Sequence, residues 1–254
     1  MIKYLLKLVL LLLLCAQCKT TDFLAQETVV PDGYNLVYAQ DFESPQAIRD
    51  FEMTDPNAWK IGTQTGRTQT GGSQTGGSQT KISHTLELFG ESEYRSRVRS
   101  PFNIALLKNL SVGDFILEAD LSQSGREYGH RDLCLFFNVM SPTNFYYVHI
   151  ASVADDNANN IFLVNDEPRS NIATSTTKGT NWGETNSWHK VRIERLVETG
   201  SITIFFDGKK IMEANDTHFV DGRIGFGSFD DTGRFDNIKI WAPKLSTTSK
   251  GFFQ

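Results

Sequence analysis

Apolar residues recur at every second position in short runs from Ile82 onward, with turn residues between the runs. SITIFFDGKKIMEA joins two such runs through Asp207-Gly208, a dipeptide typical of two-residue hairpin turns. A period of two indicates antiparallel strands with one face buried, and no amphipathic helix pattern follows the N-terminal segment. The sequence therefore predicts an all-β protein, a two-sheet antiparallel jelly-roll sandwich.

The first 18 residues place two lysines before a leucine-rich run that is too short to span a bilayer, which predicts a signal peptide. Cys18, followed by a polar tail, resembles the lipidated cysteine of bacterial lipoprotein signals. Simple cleavage and release is the alternative, because Gln17 occupies a position where such signals place a small residue. We expect an exported protein, either an outer membrane or periplasmic lipoprotein or a secreted one.

The rest of the chain divides by composition. We expect a polar tether at 19–33, the sandwich domain at 34–243 and a C-terminal tail at 244–254. Within the domain, residues 62–80 form a Gly/Ser/Thr/Gln repeat without apolar positions, which predicts a disordered surface insertion.

Charge and cysteine content exclude several classes of partner and site. Loss of residues 1–18 removes two lysines and changes the net charge from −5 to −7. Nucleic acid is therefore not expected as a partner, and the membrane is expected only through a lipid anchor. Cys134 would then be the one cysteine left, which excludes an intrachain disulfide and a cysteine-rich zinc site.

The strand order, from GDFILEADL through LCLFFNV, SPTNFYYVHIA, WHKVRIER and ITIFFDGKK to GRIGFGSFDDTGRFDNIKIW, resembles the concanavalin A-like lectin/glucanase superfamily. Within it, secreted bacterial domains related to the laminin-G and 3-keto-disaccharide hydrolase groups are most similar, over about Tyr34 to Trp241. The resemblance implies a glycan on the outer face of one sheet. It also allows a structural calcium ion, for which Asp41, Glu43 and Asp236 are the available oxygen ligands; no cofactor is otherwise required.

The stretch YGHRD at 128–132 brings His130, Arg131 and Asp132 to the head of an apolar strand. Alternation buries Leu133, Leu135, Phe137 and Val139 and turns every second residue outward. The polar residues turned outward on this strand and the next would be Asp132, Asn138, Tyr147 and His149. Such a face offers planar hydrogen-bonding groups and aromatic rings, which suit saccharides. Pairing at a strand end is the simpler interpretation of Arg131 and Asp132.

Two loops add candidate ligands for a sugar. ADDNANNIFLVNDEPRSNIA follows His149, and its Asn157, Asn165 and Arg169 would supply donors if the loop closed over the same face. Asn and Asp are also ordinary turn formers, so a purely structural loop is the alternative. Trp182 lies in the polar segment KGTNWGETNSW, which favours a stacking platform or a loop anchor.

Three functions are compatible with these residues. The first is a secreted or lipid-anchored protein that binds a polysaccharide or oligosaccharide. The second is a glycoside hydrolase or polysaccharide lyase, with His130, His149 and Tyr147 as catalytic groups and Arg131 neutralising an acidic sugar. The third is a structural or adhesive surface domain. The E-x-D-x-x-E strand of the glucanase branch is absent from the sequence, which disfavours retaining hydrolysis of that type.

Overall fold

The structure, a computed structural model, describes residues 29–65, 82–246 and 251–253. Strands account for 54% and helices for 4%, so the protein is all-β. The strand pairings are antiparallel and assemble two sheets that pack as a sandwich. The predicted fold class is therefore confirmed.

The described residues form sixteen strands and two short 3-10 helices, Pro45–Asp50 and Pro56–Ala58. The strands are β1 (Asn35–Gln40), β2 (Phe51–Met53), β3 (Trp59–Thr65), β4 (Ile82–Leu88), β5 (Asn103–Leu107), β6 (Phe115–Gln123), β7 (Asp132–Ser141), β8 (Asn144–Ala151), β9 (Asn160–Asn165), β10 (Ser170–Asn171), β11 (Ala173–Thr176), β12 (Trp188–Leu196), β13 (Ser201–Phe206), β14 (Lys209–Asn215), β15 (Arg223–Ser228) and β16 (Gly233–Ala242). One sheet has the order β11-β14-β13-β12-β6-β16-β4-β3, with β1 paired to β16. The other has the order β10-β9-β8-β7-β15-β5-β2.

The larger apolar core lies between the two sheets. The inward residues of β6, β7 and β8 are those that alternation predicts: Phe115, Leu117, Ala119, Leu121, Leu133, Leu135, Phe137, Tyr146, Val148 and Ile150. All ten are fully buried. Burial of one large apolar side chain contributes about 1.5–3 kcal/mol, so this core supplies most of the stabilisation.

A second apolar layer covers the outer face of the seven-stranded sheet. This outer layer consists of Ile104, Leu106, Cys134, Phe136, Val139, Phe145, Tyr147, Phe162 and Val164. Val98, Phe252 and Phe253 pack against it. The C-terminal pair is fixed because the backbone amides of Phe252 and Phe253 both donate to Glu52 Oε1, at 2.5 and 3.0 Å. Side chains that point out of this sheet are therefore buried rather than exposed to solvent.

A β-bulge at Asn138 interrupts the alternation in β7. Asn138 has a φ of +46°, and the register with β8 shifts between Phe137 and Ser141. The extra residue turns Val139 into the outer layer, so the prediction that Val139 is inside is wrong. Asn138 is fully buried and its Nδ2 donates to the Val112 carbonyl at 3.1 Å.

Part of the sequence-based organisation lies outside the described residues. This holds for the predicted signal peptide, for Cys18 and for most of the tether. β3 continues through residues 62–65, so the first four residues of the expected insertion are strand, and residues 66–80 are outside the described part. Among the residues that are described, no helix is long and apolar enough to cross a membrane.

Candidate functional site

A cavity that opens to solvent lies at the edge of the outer layer. Its volume is about 660 Å³ when the space open to solvent is included. Its lining consists of Arg99, Tyr128, His130, His149, Asn157, Arg169, Phe229 and Asp230. Only His149 lies on a strand, and the other seven come from connections between strands. Phe162 of the outer layer contacts both His149 and Arg169, so the aromatic layer continues beneath the cavity.

The guanidinium of Arg169 is held between two phenyl rings. It lies 4.6 Å from the ring centre of Phe162 and 4.7 Å from that of Phe229. Its Nη1 donates to Tyr147 Oη at 2.6 Å and its Nη2 to the Asn157 carbonyl at 2.9 Å. These contacts fix the plane of the guanidinium and leave part of its five N–H groups unused.

Tyr147 lies one layer below the cavity. It is fully buried, and burial raises the pKa of its phenol well above the ordinary value, although Arg169 opposes this. A phenol with a raised pKa is a poor base at neutral pH. The structure thus gives Tyr147 the position of a support for Arg169, where the sequence suggested a catalytic group.

His149 is buried and both of its ring nitrogens contact the protein. Nε2 pairs with the carboxylate of Asp132, and Nδ1 accepts a hydrogen bond from the Asn159 backbone amide at 3.4 Å. Asp132 is itself fully buried and also accepts from Ser228 Oγ. Burial raises the pKa of Asp132, but the contact with His149 and the hydrogen bond from Ser228 outweigh it and hold the pKa below its ordinary value.

His130 is the exposed histidine of the cavity. Its Nε2 lies 2.8 Å from Asp155 Oδ2, and about half of its side chain is accessible. The Asn157 amide and His130 both hold the pKa of Asp155 below its ordinary value, the Asn157 hydrogen bond being the stronger influence. An ionised Asp155 orients the imidazole, and no other described residue makes a hydrogen bond to Nδ1 of His130.

The turn after β15 places two acidic residues at the cavity. Asp230 lines it, and burial followed by the charge of Asp132 raises the pKa of Asp230. Asp231 is buried beside it, accepts from Tyr128 Oη at 2.8 Å and has a pKa raised to about 6 by burial and by Asp132. Both carboxyl groups therefore hold a proton more tightly than an ordinary aspartate does.

Two groups of potential metal ligands exist among the described residues. They are Asp132 with Cys134 and His149, and Asp132 with Asp230 and Asp231. In the first group the Asn159 amide faces Nδ1 of His149, so Nε2 carries the proton and has no lone pair for a metal. The predicted calcium ligands do not form a further group: Glu43 binds Ser83 and His84, and Asp236 accepts from the Asn237 amide. Calcium binding there stays a prediction.

Five residues predicted to contact a ligand do not line the cavity, among them Asp132, which is fully buried and paired with His149. Asn138 is the buried bulge residue. Arg131 is buried and donates to the Gly183 carbonyl at 2.5 Å, which anchors a loop instead of a sugar. Trp182 is a core residue: it is 1% exposed, and its Nε1 donates to the Ile150 carbonyl at 3.3 Å. Asn165 is exposed but bonds to Asn144 at 3.1 Å, outside the cavity lining.

The structure brings His130, His149, Asn157 and Arg169 together as cavity residues. It adds four that the sequence did not single out: Arg99, Tyr128, Phe229 and Asp230. Tyr128 opens the YGHRD stretch and was available as a signal. Phe229 and Asp230 belong to the segment FDDTG, whose composition is that of an ordinary turn.

The amino-acid sequence matches no protein family and no curated protein. Similar solved structures include the carbohydrate binding module CBM66 from Bacillus subtilis, with 18% identity, coverage of 71% of this chain and 93% of that chain, and a TM-score of 0.45. A Bacillus subtilis protein with a galectin-like fold has 14% identity, coverage of 85% and 100%, and a TM-score of 0.47. Winged bean acidic lectin has 12% identity, coverage of 80% and 98%, and a TM-score of 0.42.

Proposed function

We propose that this protein binds a saccharide in the cavity lined by Tyr128, His130, Asn157, Arg169 and Phe229. The observation that carries the proposal is the convergence of half-buried aromatic rings and exposed hydrogen-bonding side chains in one open cavity. Sugars present arrays of hydroxyl groups beside weakly apolar ring faces, and this lining offers a partner for each.

The side chains around the cavity are held in place by contacts with the rest of the protein. Arg169 is fixed by Tyr147, by Asn157 and by two phenyl rings, and the outer layer beneath it is closely packed aromatic surface. Stacking between Tyr147 and Phe162 at 5.1 Å and between Tyr147 and Phe136 at 5.8 Å continues this layer. A site that is ordered before the ligand arrives loses little conformational entropy on binding.

A glycan array followed by calorimetric titration tests the proposal. Phe229→Ala and Asn157→Ala are each expected to lower the affinity for a bound oligosaccharide at least about tenfold, a loss of about 1.4 kcal/mol. Phe89→Ala is the matched control, because Phe89 is 47% exposed and lies outside the cavity lining. If no glycan on a broad array binds, the proposal fails and the structural or adhesive alternative takes its place.

A second candidate function, a hydrolase or lyase acting on the same sugar, is favoured by one contact. The pair of His130 and Asp155 at 2.8 Å has the geometry of an oriented general base at the cavity. Assays for new reducing ends and for unsaturated uronates test it. Product that disappears in His130→Gln supports an enzyme, and a bound oligosaccharide that is never altered rejects one.

The place of action is proposed from the N-terminal sequence alone. We propose that the protein is exported and acts outside the cytoplasm, anchored through a lipid on Cys18. Labelling with an alkyne fatty acid tests this: the label should enter the natural chain and be absent from Cys18→Ser. Unlabelled protein in the medium would instead support simple secretion.

A further inference from the structure

We propose that the saccharide carries an anionic group, a carboxylate or a sulfate, which Arg99 and Arg169 recognise. This inference rests on the proposed function, because it concerns the same cavity. It arises from the charges of the lining: two arginines are present, and within residues 29–65, 82–246 and 251–253 neither has a carboxylate partner within 4.0 Å.

The arginines that pack against the sheets differ in their partners, and the buried Arg195 donates to backbone carbonyls. Four of the described arginines pair with a carboxylate: Arg131, Arg192, Arg223 and Arg234. Arg169 has a tyrosine hydroxyl and a backbone carbonyl as partners, and these bind the guanidinium without cancelling its charge. The fork is thus held in a fixed plane with its positive charge available, which is what bidentate recognition of a carboxylate or sulfate requires.

Arg99 adds a second positive charge on the neighbouring segment. Its backbone carbonyl accepts from the Arg169 backbone amide at 3.1 Å, so the two residues lie side by side in the chain trace. The side chain of Arg99 lines the cavity, is exposed, and makes no hydrogen bond or ion pair with any part of the chain that the structure describes. An exposed arginine at a cavity is free to close on an incoming anion.

The remaining charges of the lining do not cancel this pair. Asp230 is the one carboxylate among the lining residues, and it faces two guanidinium groups. His130 is held by Asp155 and contributes a further donor. Two guanidinium groups thus meet one carboxylate among the residues that line the cavity, in a chain whose net charge is −5, and this favours an anionic ligand at the two arginines.

The test compares sugars that differ only in charge. The full-length protein is titrated with a tetragalacturonate and with the same tetramer after reduction of its carboxyl groups. A sulfated galactan oligosaccharide and its desulfated form make the second arm, so that the two arms distinguish carboxylate from sulfate. We expect one charged member to bind at least about tenfold more tightly than its uncharged counterpart, and high salt to reduce the difference.

Variants assign the effect to the two arginines. Arg99→Gln should lower the affinity for the charged sugar about tenfold and leave the uncharged sugar unaffected. Arg169→Lys keeps the charge but loses the fork, and should produce a similar loss. Arg97→Gln is the matched control, since Arg97 is exposed on the same segment but does not line the cavity.

The outcomes separate this inference from the proposed function. Equal binding of charged and uncharged sugars, with Arg99→Gln unchanged, overturns the anionic inference and leaves saccharide binding intact. Equal losses in Arg97→Gln and Arg99→Gln also overturn it, because they show a nonspecific effect of net charge. Failure of all four sugars, together with an array on which nothing binds, overturns both.

Discussion

His149 pairs with the buried carboxylate of Asp132 directly below the cavity. Both members are buried, and a backbone amide holds the second nitrogen of the imidazole. The pair therefore supports the wall of the site, and its removal should be visible first in stability.

Asp132→Asn should lower the free energy of unfolding by about 2–4 kcal/mol, because the new amide nitrogen would face one of two donors, Ser228 or His149. The depressed pKa of Asp132 means that its contribution is present above the ordinary aspartate pKa and is lost as the pH falls through the folded value. Urea unfolding between pH 3 and 7 measures both effects. Asp155→Asn, which alters an exposed His–Asp pair, should cost less than about 1 kcal/mol. Similar losses in both variants would contradict the structural role of Asp132.

Asp231 should give the opposite pH dependence. Its folded pKa of about 6 lies above the ordinary value of 3.8, so the folded protein holds this proton more tightly than the unfolded chain does. Stability therefore decreases as the pH rises from about 4 to about 6 and stays reduced above that range. Asp231→Asn should remove this decrease and stabilise the protein at pH 7 by at most about 3 kcal/mol. The measurement is the difference in unfolding free energy between variant and natural protein at pH 4 and pH 7. A difference independent of pH would contradict the prediction.

Arg195 should be among the most sensitive positions of β12. It is fully buried and donates to three backbone carbonyls, those of Gly200, Asp216 and Phe219, at 2.7–3.0 Å. Arg195→Met removes the guanidinium donors from these carbonyls, of which that of Gly200 keeps the Asp216 amide as a donor, and should cost about 3 kcal/mol. Lys190→Met on the same strand removes only a solvent-accessible ion pair and should cost less than about 1 kcal/mol. Thermal unfolding of the two variants compares them, and equal melting temperatures would reject the role given to Arg195.

Variants of Trp182 test whether this residue belongs to the core or contacts a ligand. It packs edge-on against Phe206 at 5.2 Å and His189 at 5.6 Å in the core between the sheets. Trp182→Ala should lower the unfolding free energy by about 3–5 kcal/mol through the cavity it creates. Trp182→Phe retains most of the packing, so this variant should bind saccharide with unchanged affinity. A loss of affinity in a folded Trp182→Phe would return the residue to the binding site.

Alternation was sufficient to predict the fold class and the inward faces of β6, of β8 and of β7 as far as the bulge at Asn138. A period of two determines which side of a sheet each residue occupies, and Leu133 to Phe137 follow it. It does not determine whether that side meets solvent. Residues far away in sequence, Phe252 and Phe253, cover the outer face, and no local pattern predicts such a long-range contact.

The site could be predicted only in part, because alternation places residues on strands but does not give the conformation of the connections between them. His130 lies just before β7 and His149 lies on the next strand, β8, and both line the cavity. Arg131 and Arg169 both lie in connections close to these strands. Only the conformation of the connections decides that Arg131 is buried against the Gly183 carbonyl and that Arg169 lines the cavity. Trp182 was misplaced because its neighbours in sequence are polar, whereas its neighbours in space are Phe206 and Ile150.

The bulge at Asn138 also sets the alignment of the central strands. Gly222, with a φ of +152°, lies so close that a Cβ there would be 2.3 Å from the carbonyl carbon of Asn138. The bulge of β7 thus packs against a residue before β15 that has no side chain. Sliding either strand by two residues would preserve its polarity pattern but bring a residue with a Cβ against the bulge, so this contact favours the native register of β7 and β15.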